Sequence, residues 1–271
     1  MEYVTLYNGV NMPQLGYGVY QVTQEECERC VLDALDVGYR SLDTAQSYFN
    51  EEQVGNAIAK SGVSREEIFL TTKVWIEHYG YEQTTKSVLE SMEKLQTSYL
   101  DLILLHQPFA DYYGAYRALE ELYKEGKVRA IGVSNFLTDD LQNILDCCTI
   151  KPMVNQMLTH ISNTPLELIS FCKENDILPE AYSPIAHGEA LKNKEIAKMA
   201  KKYGVSPAQI CIRYVLQLNM VALPKTADPE HMKKNADVEF EISDEDMNLL
   251  KSAQKIESYG EYSVFPVFSG K

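Results

Sequence analysis

The feature that most constrains this chain is an alternation. Short apolar, β-branched runs are each followed by an amphipathic stretch, and the pattern repeats eight times. The runs cover residues 15–20 (LGYGVY), 39–44, 68–74 (IFLTTKV), 100–105 (LDLILL), 128–133 (VRAIGV), 153–156, 177–182 and 220–223. Helical spacing is predicted for residues 50–60, 81–95, 113–124, 138–147, 165–175, 193–203 and 244–253, and for stretches opened by Thr23 and by Ser206-Pro207. Thr23 with Glu26 reads as a capping box, and Pro165 suits a first helical turn. Ahead of the repeat, residues 2–13 read as a β-hairpin turning at Asn8-Gly9.

Strands that alternate with helices form a parallel sheet. Eight such units in 271 residues match a closed (β/α)8 barrel, with the whole chain, 1–271, as a single domain. The competing doubly wound sheet carries a glycine-rich phosphate turn after its first strand. Here Gly16 and Gly18 lie inside that strand, where they allow close backbone approach.

Composition narrows the partners. With 45% hydrophobic and 24% charged residues the chain has ample material for a core. A net charge of −14 argues against nucleic acid and anionic membranes. No apolar run reaches membrane-spanning length, and the opening MEYVTLYNGV does not read as a signal peptide. Cys27 and Cys30 form C-x-x-C inside a helical pattern, without a second ligand pair, and read as reduced thiols rather than a metal site. A cytoplasmic location is expected.

In a barrel of this kind, chemistry gathers at the C-terminal ends of the strands. Polar groups stand there repeatedly: Asp43 with Tyr48 just beyond, Lys73 followed by Trp75, His106, Ser134-Asn135, Asn155-Gln156, Tyr182-Ser183 and Lys225-Thr226. Each alone has an ordinary explanation in packing, capping or solvation. Their convergence on one mouth does not. An Asp43–Lys73 ion pair beside Tyr48 is expected to lower the phenol's pKa and make it a general acid. His106 then orients the same reacting oxygen, so that charge developing on a carbonyl meets two donors. Without a sequence-local metal site, the nucleophile is expected to come from a cofactor.

These residues sit in longer segments, GYRSLDTAQSYFNEEQVGNAI, IFLTTKVW, LDLILLHQP, YKEGKVRAIGVSNF, NQM, AYSPIAHG and LPKTADPEHMKKN, through which the chain resembles the aldo-keto reductases over almost its whole length. The resemblance is greatest to the bacterial branch with 2,5-diketo-gluconate and glyoxal or methylglyoxal reductases. It implies a barrel that reduces carbonyls with NADPH. Carried over, Tyr48 is the acid, Asp43 and Lys73 tune it, and His106 orients the substrate. Ser134, Asn135 and Gln156 hold the nicotinamide carboxamide, and Tyr182 stacks on the ring. Ser183, Pro184 and Ile185 line the pyrophosphate, Lys225 and Thr226 reach the 2′-phosphate, and Asn235 lies near the adenine. Tyr20, Trp75, Gln107 and Phe109 flank the substrate pocket, although Trp75 suits rim packing equally, and Phe265 and Phe268 in the tail either cover the pocket or pack on the barrel.

One departure concerns the phosphate end. His231 stands where the family usually has arginine, and Lys234 where it often has glutamate. Histidine lacks arginine's bidentate fork, so NADPH is expected to be preferred with some tolerance for NADH. Lys225, Lys233 and Lys234 are read as a cationic patch in a loop that also holds Asp228. A monomer acting on a small carbonyl compound is the expected working form. Two other readings remain: a Schiff-base barrel with Lys73 as nucleophile, and a non-catalytic protein that binds nicotinamide cofactor.

Overall fold

The hairpin forms as expected. In the computed structural model, which describes residues 2–256 and Tyr259, β1 (Tyr3–Thr5) pairs antiparallel with β2 (Asn11–Pro13). Gly9 takes φ 86°, a left-handed value that glycine adopts at no steric cost. The hairpin lies across the N-terminal end of the barrel, where the Tyr7 hydroxyl donates to the Lys151 carbonyl and Asn8 Nδ2 to the Arg129 carbonyl.

Eight parallel strands follow: β3 (Tyr17–Gly18), β4 (Ser41–Asp43), β5 (Phe69–Val74), β6 (Leu102–Leu105), β7 (Ile131–Ser134), β8 (Val154–Leu158), β9 (Leu178–Tyr182) and β10 (Val221–Leu223). Each pairs with the next in chain order. Closure comes from residues 14–18, which run alongside β10: Gly16 N donates to the Ala222 carbonyl at 2.9 Å, and Ala222 N to the Gln14 carbonyl at 3.0 Å. Close approach explains the glycine at this seam. A Cβ on Gly16 would lie 2.6 Å from the Leu223 side chain, whereas at Gly18 the nearest atom is 3.8 Å away. The contact at the first glycine is with side-chain ends, Leu223 Cδ2 and Ser41 Oγ, and is tighter than at the second.

The helices are α1 (Gln24–Val37), α2 (Glu51–Lys60), α3 (Tyr81–Lys94), α4 (Tyr112–Lys124), α5 (Thr138–Cys147), α6 (Leu166–Glu174), α7 (Lys194–Tyr203), α8 (Pro207–Gln217), α9 (Pro229–Ala236) and α10 (Asp244–Lys251). They pack their apolar faces on the sheet. Inside, β6 is buried at every position, as expected of a strand covered on both faces. Cys27 and Cys30 are buried free thiols on α1.

Some local expectations change. Thr23 occupies the N-cap of α1, but its side chain makes no capping bond. Pro165 precedes α6 rather than opening its first turn. The capping box forms instead at α8, between Ser206 and Gln209. The segment read as a phosphate loop contains α9. Asp228 accepts from Glu230 N and His231 N while Pro229 fills the first position, a strong start signal for a helix. The insertion after β9 also contains, within Ala186–Lys192, two short 3₁₀ turns separated by a kink at His187 and Gly188. Phe265 and Phe268 lie outside the described residues.

Candidate active site

The stretch 39–48 builds one wall of the site. β4 ends at Asp43, and a single 3₁₀ turn, Gln46–Tyr48, brings the Tyr48 ring back over the barrel mouth. Buried side chains fix that turn. Thr44 Oγ1 donates to Asn50 Oδ1, and Asn50 Nδ2 donates to the Val19 and Val22 carbonyls. Gln46 Nε2 donates to the Ser87 carbonyl and Ser91 Oγ on α3, while its Oε1 accepts from the Trp75 backbone at 2.9 Å. The Tyr48 turn and the Trp75 loop are thus held by one glutamine.

The four expected inner groups meet. Lys73, wholly buried at the end of β5, donates to Asp43 Oδ1 at 2.6 Å, the Thr44 carbonyl at 3.0 Å and the Tyr48 hydroxyl at 3.3 Å. All three ammonium hydrogens are therefore used. His106, at the end of β6, presents its ring edge-on to Tyr48 with centroids 5.8 Å apart. Its Nδ1 lies 3.4 Å from Ser47 Oγ. With Ser47 donating to Nδ1, Nε2 carries the hydrogen.

Electrostatics corrects one expectation. Burial pushes the Tyr48 phenol up to about 12; Lys73 pulls it down, Asp43 and Tyr20 push it further up, and the upward effects win. Lys73 is not outmatched in charge. Rather, a phenolate would have to form in a site with little water. Tyr48 therefore keeps its proton at neutral pH, the state a proton donor needs. Burial, and then the Lys73 charge, hold His106 down at about 3, so the imidazole is neutral. Burial alone favours a neutral Lys73, but Asp43 and Tyr48 reverse this and raise it to about 12. An amine held so firmly as ammonium is not the neutral nucleophile that Schiff-base chemistry requires.

The expected cofactor residues lie around the same mouth. Asn135 N donates to the Gln156 carbonyl at 2.8 Å, and Asn135 Nδ2 donates to the His106 carbonyl. The Tyr182 hydroxyl donates to Asn135 Oδ1 at 2.7 Å, which leaves the half-buried ring as a platform. Four of the ten non-glycine residues with positive φ among the described residues lie here: Asn135, Ser183, Ala186 and His187, between 49° and 62°. Non-glycine residues seldom do so, and such strain clusters at ligand-binding loops. Pro184 is buried and Ile185 partly so. These features suit a flat ring over Tyr182 and a carboxamide beside Asn135.

The phosphate end is looser than expected. Lys225 is exposed, and the backbone of Thr226 is tied to the barrel, its carbonyl accepting from the Tyr17 hydroxyl at 2.6 Å. His231 is 65% exposed, with Nδ1 4.0 Å from Asp228. Lys233, counted in the cationic patch, is ion-paired with Glu230 at 2.8 Å. Asn235 is buried on α9.

Around the expected pocket, the Tyr20 ring lies 5.0 Å from Tyr48, and Trp75 meets His106 edge-on at 5.2 Å. Trp75 therefore contacts the inner cluster rather than only the rim. Gln107 is held by its backbone, whose N–H and carbonyl both bond the Tyr79 hydroxyl, and Phe109 is 58% exposed.

Two participants lay outside the expected set. Ser47 contacts His106, as described. Glu180 lies in the middle of β9, 1% exposed, with Oε2 accepting from Gln156 Nε2 at 2.9 Å. A charged residue inside the otherwise apolar ILPEAY run was the available signal.

Comparison with known proteins gives the family and the fold. The model of the aldo/keto reductase family matches residues 6–255. A glyoxal reductase of Bacillus subtilis is 46% identical over 260 residues, covering 95% of this chain and 94% of its own. A methylglyoxal reductase of Escherichia coli is 40% identical over 240 residues, covering 87% and 86%. Among solved structures, an aldo-keto reductase of Bombyx mori in complex with NADP superimposes with a TM-score of 0.91 at 28% identity, covering 98% of both chains.

Proposed function

The chain belongs to the aldo/keto reductase family, and we propose that it reduces small aldehydes, α-dicarbonyls or keto sugars to alcohols with NADPH, Tyr48 acting as the general acid. The single observation that carries this reading is the Asp43–Lys73–Tyr48 chain, with hydrogen bonds of 2.6 and 3.3 Å, closed off by a neutral His106. NADPH supplies the hydride. Tyr48 and His106 donate hydrogen bonds to the carbonyl oxygen, and Tyr48 gives up its proton as charge develops there. Lys73 accommodates the resulting phenolate, and Asp43 keeps Lys73 charged. Ser134, Asn135 and Gln156 hold the carboxamide, and Tyr182 carries the ring.

Small substrates suit the crowding of Tyr20, Trp75 and His106 around Tyr48. The named activities of the bacterial relatives make glyoxal and methylglyoxal the first compounds to try. Lys225, Thr226 and His231 take the 2′-phosphate. Asp228 already caps the first N–H groups of α9, which leaves that grip modest and NADH tolerated. A monomer is the working form this reading assumes. Among the described residues no helix is long and apolar enough to cross a membrane, and the cysteines are free. We read the protein as a cytoplasmic enzyme of one domain.

A panel of carbonyl compounds, assayed by NADPH absorbance, tests the reading. Turnover of α-dicarbonyls is expected. No turnover of any member, despite NADPH binding, would leave a cofactor-binding protein without this activity.

A further inference from the structure

Gln156 connects two buried carboxylates. Its Nε2 donates to Asp43 Oδ2 at 2.9 Å and to Glu180 Oε2 at 2.9 Å. Both amide hydrogens are thereby used, and the orientation of the amide follows, with Oε1 left as its free acceptor. Asp43 is in turn bonded to Lys73, and Lys73 to Tyr48. A continuous chain thus runs from Glu180 to Tyr48 through the barrel interior.

Charge within this chain is uneven. Two carboxylates share one cation, Lys73, whose three hydrogens already go to Asp43, the Thr44 carbonyl and Tyr48. Beside Glu180 in register stand Gln156 on β8 and Val221 on β10, neither of them charged. On its own strand the next residue along that face is Tyr182, whose hydroxyl is bonded to Asn135. The charges that act on Glu180 are Asp43 and Lys73. A second buried anion without its own cation is costly, and a carboxyl in that position takes a proton instead.

We propose that Glu180 is a positioning residue for the reduction, which holds the Gln156 amide in place and, by carrying a proton, keeps a second negative charge away from the Asp43–Lys73–Tyr48 chain. The inference rests on the functional reading above. Burial, and then the Asp43 charge, raise the Glu180 carboxyl to about 8, which agrees with the geometry. When Glu180 ionises, negative charge developing on the carbonyl oxygen and on Tyr48 meets an added anion, so reduction slows as pH rises. Proton uptake by the folded state also makes the fold itself pH-dependent. A carboxyl raised on folding contributes stability at low pH that is lost as pH rises through the folded value.

The test uses Glu180→Gln, which retains an acceptor for Gln156 but cannot ionise, and Glu180→Asp, which can. For wild type, kcat/KM for carbonyl reduction should fall between about pH 6 and about pH 9, and the ratio of E180Q to wild type should rise at least about fivefold over that range. E180D should keep a limb. An unchanged limb in E180Q would overturn the inference, because the limb would then belong to another group. Thermal unfolding provides a readout independent of turnover. The Tm of E180Q relative to wild type should climb from about pH 4.5 to about pH 8, between the unfolded and folded values, and level off above; a constant difference across that window would also overturn it. If wild type reduces no carbonyl but the Tm difference climbs, the functional reading fails while the proton on Glu180 stands.

Discussion

The wholly buried Lys73 ammonium donates to the hydroxyl oxygen of the partly buried Tyr48 across 3.3 Å. Because Tyr48 accepts there, its own hydrogen is free to point at a substrate. When that hydrogen leaves, the charge that steadies the phenolate is already in place and needs no reorganisation.

Replacing the ammonium tests this arrangement twice over. Lys73→Met leaves Asp43 buried without a cation, and breaking a buried pair costs about 3–5 kcal/mol of stability by denaturant titration. The rate of carbonyl reduction should fall by about 10²–10³, the scale for losing one preorganised group. Adding Asp43→Asn should recover much of the stability and none of the rate. Equal recovery of both would mean that Lys73 acts only as structure.

His106 predicts an acid limb in stability. Its pKa is depressed by burial and by Lys73, so the folded state holds it neutral while the unfolded chain takes up a proton. The sign follows: its contribution is present above about pH 6.5 and is lost as pH falls toward about 3. His160, buried and held at about 4 by burial and then by His187, adds to the same trend. His106→Gln should move the acid-unfolding midpoint, followed by circular dichroism, to lower pH. A midpoint that stays put would show that His106 is not neutral in the fold.

Packing makes a prediction against helix propensity. Gly55 sits in the middle of α2, where Gly→Ala normally gains about 0.5–1 kcal/mol. Here a Cβ would stand 2.6 Å from the Lys94 carbonyl oxygen and 2.8 Å from the Leu95 carbonyl carbon. Backbone cannot yield as a side-chain end can. Gly55→Ala should therefore lower stability by about 1–3 kcal/mol, the usual cost of overpacking, and a stabilised variant would contradict the close contact.

At the far end of the cofactor, His231→Arg should restore a fork for phosphate. NADPH should bind about five- to tenfold tighter by fluorescence titration, with NADH unchanged, in line with about 1 kcal/mol for a charge-assisted contact. Equal tightening of both cofactors would place His231 away from the 2′-phosphate.

How far the site could be read from the chain depended on the kind of information each feature needs. Asp43, Lys73, His106 and Tyr182 were legible because each ends an apolar run, and parallel strands bring their ends to one face. Glu180 was hidden, because a strand interior reads as packing. Only alternation, which puts it on the same face as Tyr182 two residues on, hinted at an inward carboxyl. The direction of the Tyr48 shift was not legible either. The opposing charge on Lys73 can be read from residue types, whereas the burial that overrides it comes from the surrounding packing. α9 was missed because eight residues give a weak periodic signal, even though Asp228-Pro229 is a strong start.

The most direct measurement removes one oxygen. Tyr48→Phe keeps the ring between Tyr20 and His106 but has no proton to give. With saturating NADPH and methylglyoxal, its kcat should fall by at least about 10²–10⁴, the range for a general acid, while the NADPH Kd stays within about twofold of wild type. A variant that reduces methylglyoxal at the wild-type rate would contradict the assignment of Tyr48 as the acid.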